Sequence, residues 1–233
     1  MAGPDTGVLD DPVGESLRGR HAHLARGVGR VASYRPGVST FSSVSPDAGP
    51  ADWDDLAGLL GPGGLADLFS CPATPPADWA PVFDLAGRQL VGSGEAAVRT
   101  PGGAEPVELG AEDVPEMLDL VARTRPGPFW PRTHELGTYL GIRDRATGAL
   151  LAMAGERLRP PGWTEISAVC TAPEARGRGH AARLIHALAA RIAARDERPF
   201  LHVAESNTGA IALYERLGFT TRRQVTFRGY RVP

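Results

Sequence analysis

Between Ala175 and Ala181 the chain reads Ala-Arg-Gly-Arg-Gly-His-Ala, two glycines set among basic residues just ahead of an amphipathic stretch. Glycines at this spacing let the backbone curl until several N–H groups converge, and the first turn of a following helix adds unpaired donors and partial positive charge. The chemistry on offer is the cradling of a phosphate. It is not a P-loop, because no Gly-Lys-Ser/Thr follows and every one of the 25 basic residues is Arg. Nor is the spacing Gly-x-Gly-x-x-Gly met. A second chemical signal is Glu165, a carboxylate inside the apolar run from Thr164 to Thr171. An unpaired buried carboxylate is costly, and burial drives its pKa toward the range of a base at neutral pH. At a strand end in water, or paired with Arg, the same residue would be ordinary. Glu156, on the preceding apolar run, is the substitute base. Cys170 is read as a small buried hydrophobe ahead of an acyl-accepting thiol. His21 and His23 stand two apart, but without accompanying ligands they are not expected to hold a metal.

These groups need elements to position them. The run Thr164 to Thr171 reads as a strand, and alternation puts Glu165, Ser167, Val169 and Thr171 on one face, opposite Ile166, Ala168 and Cys170. A helix is expected from about Gly179 to Arg195, with Leu184, Ile185, Leu188 and Ile192 as its apolar face. A strand from Pro199 to Val203 then leads to a short helix from about Asn207 to Leu217, closed by Gly218. Upstream, Val107 to Leu109 reads as a strand, and Asp113 caps a helix carrying Met117, Leu118, Leu120 and Val121. Thr138 to Arg143 and Ala149 to Leu158 form a hairpin through Asp144 to Gly148. Phe219 to Val232 fits one or two strands. The first hundred residues are rich in turns, with helical spacing at Trp53, Leu56, Leu59 and Leu60 and again at Leu65, Leu68 and Phe69. Gly92 to Gly94 and Thr100 to Gly103 read as a linker, which places a boundary near residue 104.

Arg-x-x-Gly-x-Ala at Arg176 to Ala181, followed by a strand, Asn207 and the run Tyr214-Glu215-Arg216-Leu217-Gly218-Phe219, resembles the GNAT N-acetyltransferase superfamily. The match is strong from Thr164 to Phe219, fair from Pro106, and does not reach residues 1–104. The resemblance implies an α/β fold with a mixed, mostly antiparallel sheet flanked by helices, residues 105–233 forming the acetyltransferase domain. Residues 1–104 are then an N-terminal extension of unknown role: a degenerate second GNAT-like unit, a lid or a homodimer surface. It further implies that the backbone of Arg176, Gly177, Arg178, Gly179, His180 and Ala181 holds the pyrophosphate of acetyl-CoA. Val169, Cys170 and Thr171 would splay from the neighbouring strand and pair with the pantetheine arm, a backbone N–H of Val169 or Cys170 polarising the thioester carbonyl. Asn207 would fix the coenzyme and the helix, and Tyr214 would protonate the leaving thiolate; helical spacing alone makes Tyr214 a core aromatic. Glu165 would take the ammonium proton. The acceptor groove would be walled by the loop Arg123 to Gly137, Tyr139 and Trp163.

Composition bounds these readings. A chain of 233 residues with 42% hydrophobic and 22% charged residues is globular, and two cysteines exclude a disulfide framework. No apolar run is long enough to span a membrane and the acidic start lacks a secretion signal, so a cytoplasmic protein without membrane contact is expected. The net charge of −2 hides an asymmetry: from Arg176 onward 11 Arg face 4 acids, a seat for an anionic ligand. Arg222, Arg223, Arg228 and Arg231 fit an edge strand in solvent or the 3′-phosphate of the coenzyme, and no nucleic-acid partner is expected. The expected activity is direct acetyl transfer to a small-molecule or peptide amine, protein N-termini included. The alternative is a non-catalytic acyl-CoA-binding regulatory module.

Overall fold

The computed structural model describes residues 5–92 and 105–233. Its centre is an eight-stranded sheet in the order β4-β11-β5-β10-β9-β8-β7-β6. The strands are β4 (Leu65–Phe69), β5 (Ala80–Gly92), β6 (Val107–Leu109), β7 (Tyr139–Arg143), β8 (Leu150–Glu156), β9 (Trp163–Thr171), β10 (Arg198–Ala204) and β11 (Phe219–Arg231). A small separate sheet holds β1 (Ala25–Val28), β2 (Val31–Tyr34) and β3 (Ser42–Ser43). Every neighbouring pair in the large sheet is antiparallel except β9 with β10.

Helices cover both faces. On one, α4 (His180–Ala193) and α5 (Thr208–Arg216) bury Leu184, Ile185, Leu188, Ile192, Ile211 and Tyr214 against Leu140, Ala152, Ile166, Leu201 and Leu90 of the strands. Each large aliphatic side chain so buried contributes roughly 1.5–3 kcal/mol. On the other face, α3 (Val114–Thr124) packs Met117 and Leu120 over Met153, Ala168 and Cys170. Beside it α1 (Pro12–Arg18), with the chain before and after it, covers Trp163, Phe200, Val225 and Phe227. The helix α2 (Pro50–Leu60) lies over the small sheet. Among the described residues no helix is long and apolar enough to cross a membrane.

The C-terminal elements stand where the sequence pattern puts them, and so does the helix carrying Trp53, Leu56, Leu59 and Leu60; the segment 65–69 does not. Leu65, Leu68 and Phe69, read at helical spacing, lie on the strand β4. Its five residues are too few to distinguish a period of 3.6 from one of 2. The long strand β5 pairs on one side with β10 and on the other with β11, so residues 65–92 supply two of the eight strands. The linker and the boundary near residue 104 fall at residues 93–104, outside the described residues but for Gly92, which ends β5.

Two features of β9 shape the molecule's cleft. Its register with β8 shifts between the pairs Met153–Cys170 and Gly155–Ser167, leaving Ala168 and Val169 opposite Ala154, and Ala168 takes a φ of +51°. This bulge breaks the alternation expected of the strand: Val169 joins Ile166 on the α4 face, while Ala168 and Cys170 turn to α3. On its other edge β9 pairs with β10 only at Trp163, Thr164 and Glu165, and the two strands part beyond that point.

Candidate active site

The parting strands open a cleft of about 550 Å³. One wall is Ile166, Ser167, Ala168 and Val169 of β9, Val203 and Ala204 of β10, and Asn207, Ala210 and Tyr214 at and within α5. The opposite wall is apolar, made of Phe41, Phe69, Phe83, Leu85 and Phe227, and the turn from Arg125 to Pro128 borders the cleft. Four further polar side chains line it: Arg157, His202, Asp67 and Ser206.

Glu165 is behind that lining, fully buried. Arg157 donates to it through Nε (2.8 Å) and Nη2 (2.7 Å), and His202 Nδ1 lies 2.7 Å from its Oε1. Desolvation alone would raise this carboxyl, but the Arg157 and His202 contacts outweigh it and hold the group down at about 2. A carboxyl held so low is ionised at neutral pH, and with its oxygens occupied by Arg157 and His202 the geometry does not favour Glu165 as the base. Glu156 is no substitute at the cleft: it is buried against Arg195 at 2.8 Å and is not among the lining residues.

The network fixes protons as well as atoms. Gln89 Oε1 accepts from Arg222 Nη1 (2.9 Å), so its amide nitrogen donates to Leu9 O (2.8 Å) and to His202 Nε2 (3.2 Å). His202 consequently carries its proton on Nδ1 and presents it to Glu165. Burial, the largest influence, lowers the His202 pKa and keeps the ring neutral.

Asp67 differs in every respect. It sits on β4 with 4% of its surface exposed, and among the described residues its one side-chain hydrogen-bond partner is the neutral Thr40, whose hydroxyl donates to Oδ2 at 2.7 Å. Burial raises its pKa to about 6, only partly opposed by Thr40 and Arg157. A carboxylate that lines a cleft and titrates near neutrality has the properties of a general base. Sequence reasoning passed over it. The signal was present, an acid within Leu65-Ala66-Asp67-Leu68-Phe69, and is the same signal that singled out Glu165.

The glycine turn has the conformation a phosphate cradle needs. Gly177 and Gly179 adopt φ of +77° and +75°, a region costly for residues with a Cβ. The first hydrogen bond into α4 runs from Arg183 N to Gly179 O (3.1 Å), so the preceding amides face out of the helix end. His180 is buried there, and among the described residues its Nε2 has no partner. Arg176 and Arg178 lie exposed and bond the carbonyls of Thr171 (3.4 Å) and Glu174 (3.1 Å). Asn207 caps α5, its Oδ1 accepting from Ala210 N at 3.2 Å, and lines the cleft. Tyr214 lines it too, and burial raises its hydroxyl to about 12. Thr171 lies at the end of β9, its pairing partner Ala152 of β8.

Other expected residues are structural. Cys170 is buried against α3 and burial raises its thiol. Tyr139 packs on Phe129 and Trp163 donates from Nε1 to Asp5 O at 3.0 Å, so neither lines the cleft. His21 bridges Tyr34 Oη (2.8 Å) and Leu136 O (3.0 Å), which occupies both ring nitrogens. Of the terminal arginines, Arg228 and Arg231 lie where β11 is flanked by both β4 and β5, and Arg222 and Arg223 where it pairs with β5 alone. Arg222 and Arg223 bind Asp10, while Arg228 and Arg231 bind the carbonyls of Cys71, Ala73 and Gly63.

A sheet that divides at its one parallel pair, with a glycine turn feeding a helix beside the division, defines a GNAT-type fold, and the chain belongs to the GNAT family. A solved structure of a GNAT-family member from Novosphingobium aromaticivorans DSM 12444 is 40% identical to it. The TM-score is 0.86, with 97% of this chain and 98% of that one covered. Residues 139–228 match the family described as FR47-like protein. A GCN5-related N-acetyltransferase from Kribbella flavida (17% identity, TM-score 0.62, 95% and 94% covered) shares the fold. So does a Drosophila protein (19%, 0.65, 87% and 74%). No curated protein matched.

Proposed function

We propose that this protein transfers an acetyl group from acetyl-CoA to an amine by direct attack. The observation that carries the reading is the parting of β9 and β10 beyond Glu165 and Phe200. It leaves facing strand edges unpaired with each other and sets Tyr214 and Asp67 on the lining of one cleft. Three features of this chain fit the coenzyme: the outward amides behind Gly177 and Gly179, the orphaned Nε2 of His180, and the open edge of β9. Arg176 to Ala181 would hold the pyrophosphate through backbone N–H groups, and Asn207 would flank the pantetheine arm. Acetyl-CoA, when bound, supplies a thioester whose carbon–sulfur bond is exchanged for a carbon–nitrogen bond to the amine.

The chain's own groups do the rest. Asp67 accepts the ammonium proton and leaves a free amine in the cleft. A backbone N–H of Val169 or Cys170 stabilises the developing oxyanion, a contribution of about 3 kcal/mol for one donor. Tyr214, protonated throughout the physiological range, gives its proton to the departing sulfur and is reprotonated by the proton that the nitrogen sheds as the amide forms. Arg157, clamped by Glu165, shapes the floor, and none of these steps calls on a metal.

Calorimetry with acetyl-CoA, followed by a thiol-release assay over a panel of amines, tests the reading. Binding together with amine-dependent thiol release is expected. No heat at millimolar coenzyme, or binding without turnover on any amine, would overturn it.

A further inference from the structure

The acceptor's chemistry is written in the charges of the cleft. Arg157 is neutralised by Glu165 through two hydrogen bonds, and its guanidinium carbon already lies over the rings of Phe41 (5.0 Å) and Phe69 (4.6 Å). His202 is neutral by its hydrogen-bond network. Asp67, the buried carboxylate of the lining, has no cation hydrogen-bonded to it among the described residues: its partner is the hydroxyl of Thr40, and Arg157 acts on it only through space. Arg125 also lines the cleft, but on the exposed turn after α3, where water screens its charge. What completes the floor is one positive charge.

Around Asp67 the wall is hydrocarbon. Phe41, Phe69 and Phe227 stack in series, with centroids 4.3 and 4.6 Å apart. On β5, Phe83 and Leu85 extend the apolar surface, and Leu85 is 53% exposed, so that it lies within reach of a ligand entering from solvent. A carboxylate on the carbon bearing the amine would be carried in beside Asp67, like charge against like charge, with Arg157 already spent on Glu165.

We propose that the acceptor is an amine on a ring-sized apolar body with no carboxylate next to the nitrogen, an arylalkylamine in chemical class. This deepens the acetyl-transfer reading and rests on it. The amine nitrogen meets Asp67, and the apolar body lies along Phe227, Phe83 and Leu85.

The test compares kcat/KM for 2-phenylethylamine, phenylalanine and ethanolamine under saturating acetyl-CoA, with coenzyme binding measured separately by calorimetry. The expected order puts 2-phenylethylamine at least tenfold above each of the other two. Leu85→Ser is expected to raise KM for 2-phenylethylamine at least threefold more than it raises that for ethanolamine. Turnover that favours phenylalanine or ethanolamine would overturn the inference while leaving acetyl transfer standing. So would a Leu85→Ser effect equal for both amines. Coenzyme binding with no turnover of any amine would overturn both.

Discussion

Arg157 grips Glu165 with paired hydrogen bonds of 2.8 and 2.7 Å, and that grip removes the best-placed carboxylate of the central strand from proton chemistry. Its carboxyl is held at about 2, below the ordinary value of 4.5. A group whose pKa is depressed by folding lends stability above its unfolded pKa and withdraws it as pH falls toward the folded one. Glu165→Gln should therefore lower stability by about 3–5 kcal/mol at neutral pH, because it strands a buried guanidinium. Urea melts at pH 7 check this. A melt unchanged from the parent's would refute the grip.

Asp67→Asn should behave in the opposite way. Asparagine keeps an acceptor for Thr40 but cannot take a proton, so kcat/KM should fall on the order of a hundredfold or more. The raised pKa, about 6 against 3.8, means that ionised Asp67 is carried at a cost that appears as pH rises through 6. The variant should gain about 1–3 kcal/mol at pH 7 while losing activity. In the parent, the acid limb of kcat/KM should turn near pH 6; an acid limb turning instead near 4 would assign the base elsewhere.

Removing one hydroxyl isolates the role of Tyr214. Tyr214→Phe keeps the ring packed against Phe219, so coenzyme affinity by calorimetry should hold. The turnover number should drop on the order of a hundredfold. Wild-type turnover would return Tyr214 to the core.

Gly177→Ala and Gly179→Ala test the cradle through backbone conformation alone. A Cβ at either position meets nothing within 4 Å, so no clash enters. The positive φ should cost about 1–2 kcal/mol in each. If the turn flattens to relieve that strain, coenzyme affinity falls more than stability does. Paired thermal and calorimetric measurements separate the two, and equal losses would argue against a ligand at this turn.

How far the sequence speaks for itself follows from the range of each signal. The turn at Gly177 and Gly179, the apolar face of α4, the hairpin through Asp144 to Gly148 and the start of α5 near Asn207 are written within a few residues, and all were legible. The cleft's second wall was not. Asp67 and Phe69 become a wall only when β4 pairs with Phe227 and Arg228, more than 150 residues later. The first seven residues of β5 show no alternating burial, being exposed or half-buried throughout, so no period announces the strand. The bulge at Ala168 reverses a face assignment that strict alternation had made for Val169. Glu165 was found by its oddity, but its partner Arg157 was not, and the partner decides the proton.

The weave of β5 between β10 and β11 has a practical corollary. A fragment starting at residue 105 would deprive β11 of both its neighbours and bare one flank of β10, offering a long unsatisfied ribbon to any passing chain. Such a truncation should precipitate, whereas the two halves produced together have complementary rims on which to rejoin.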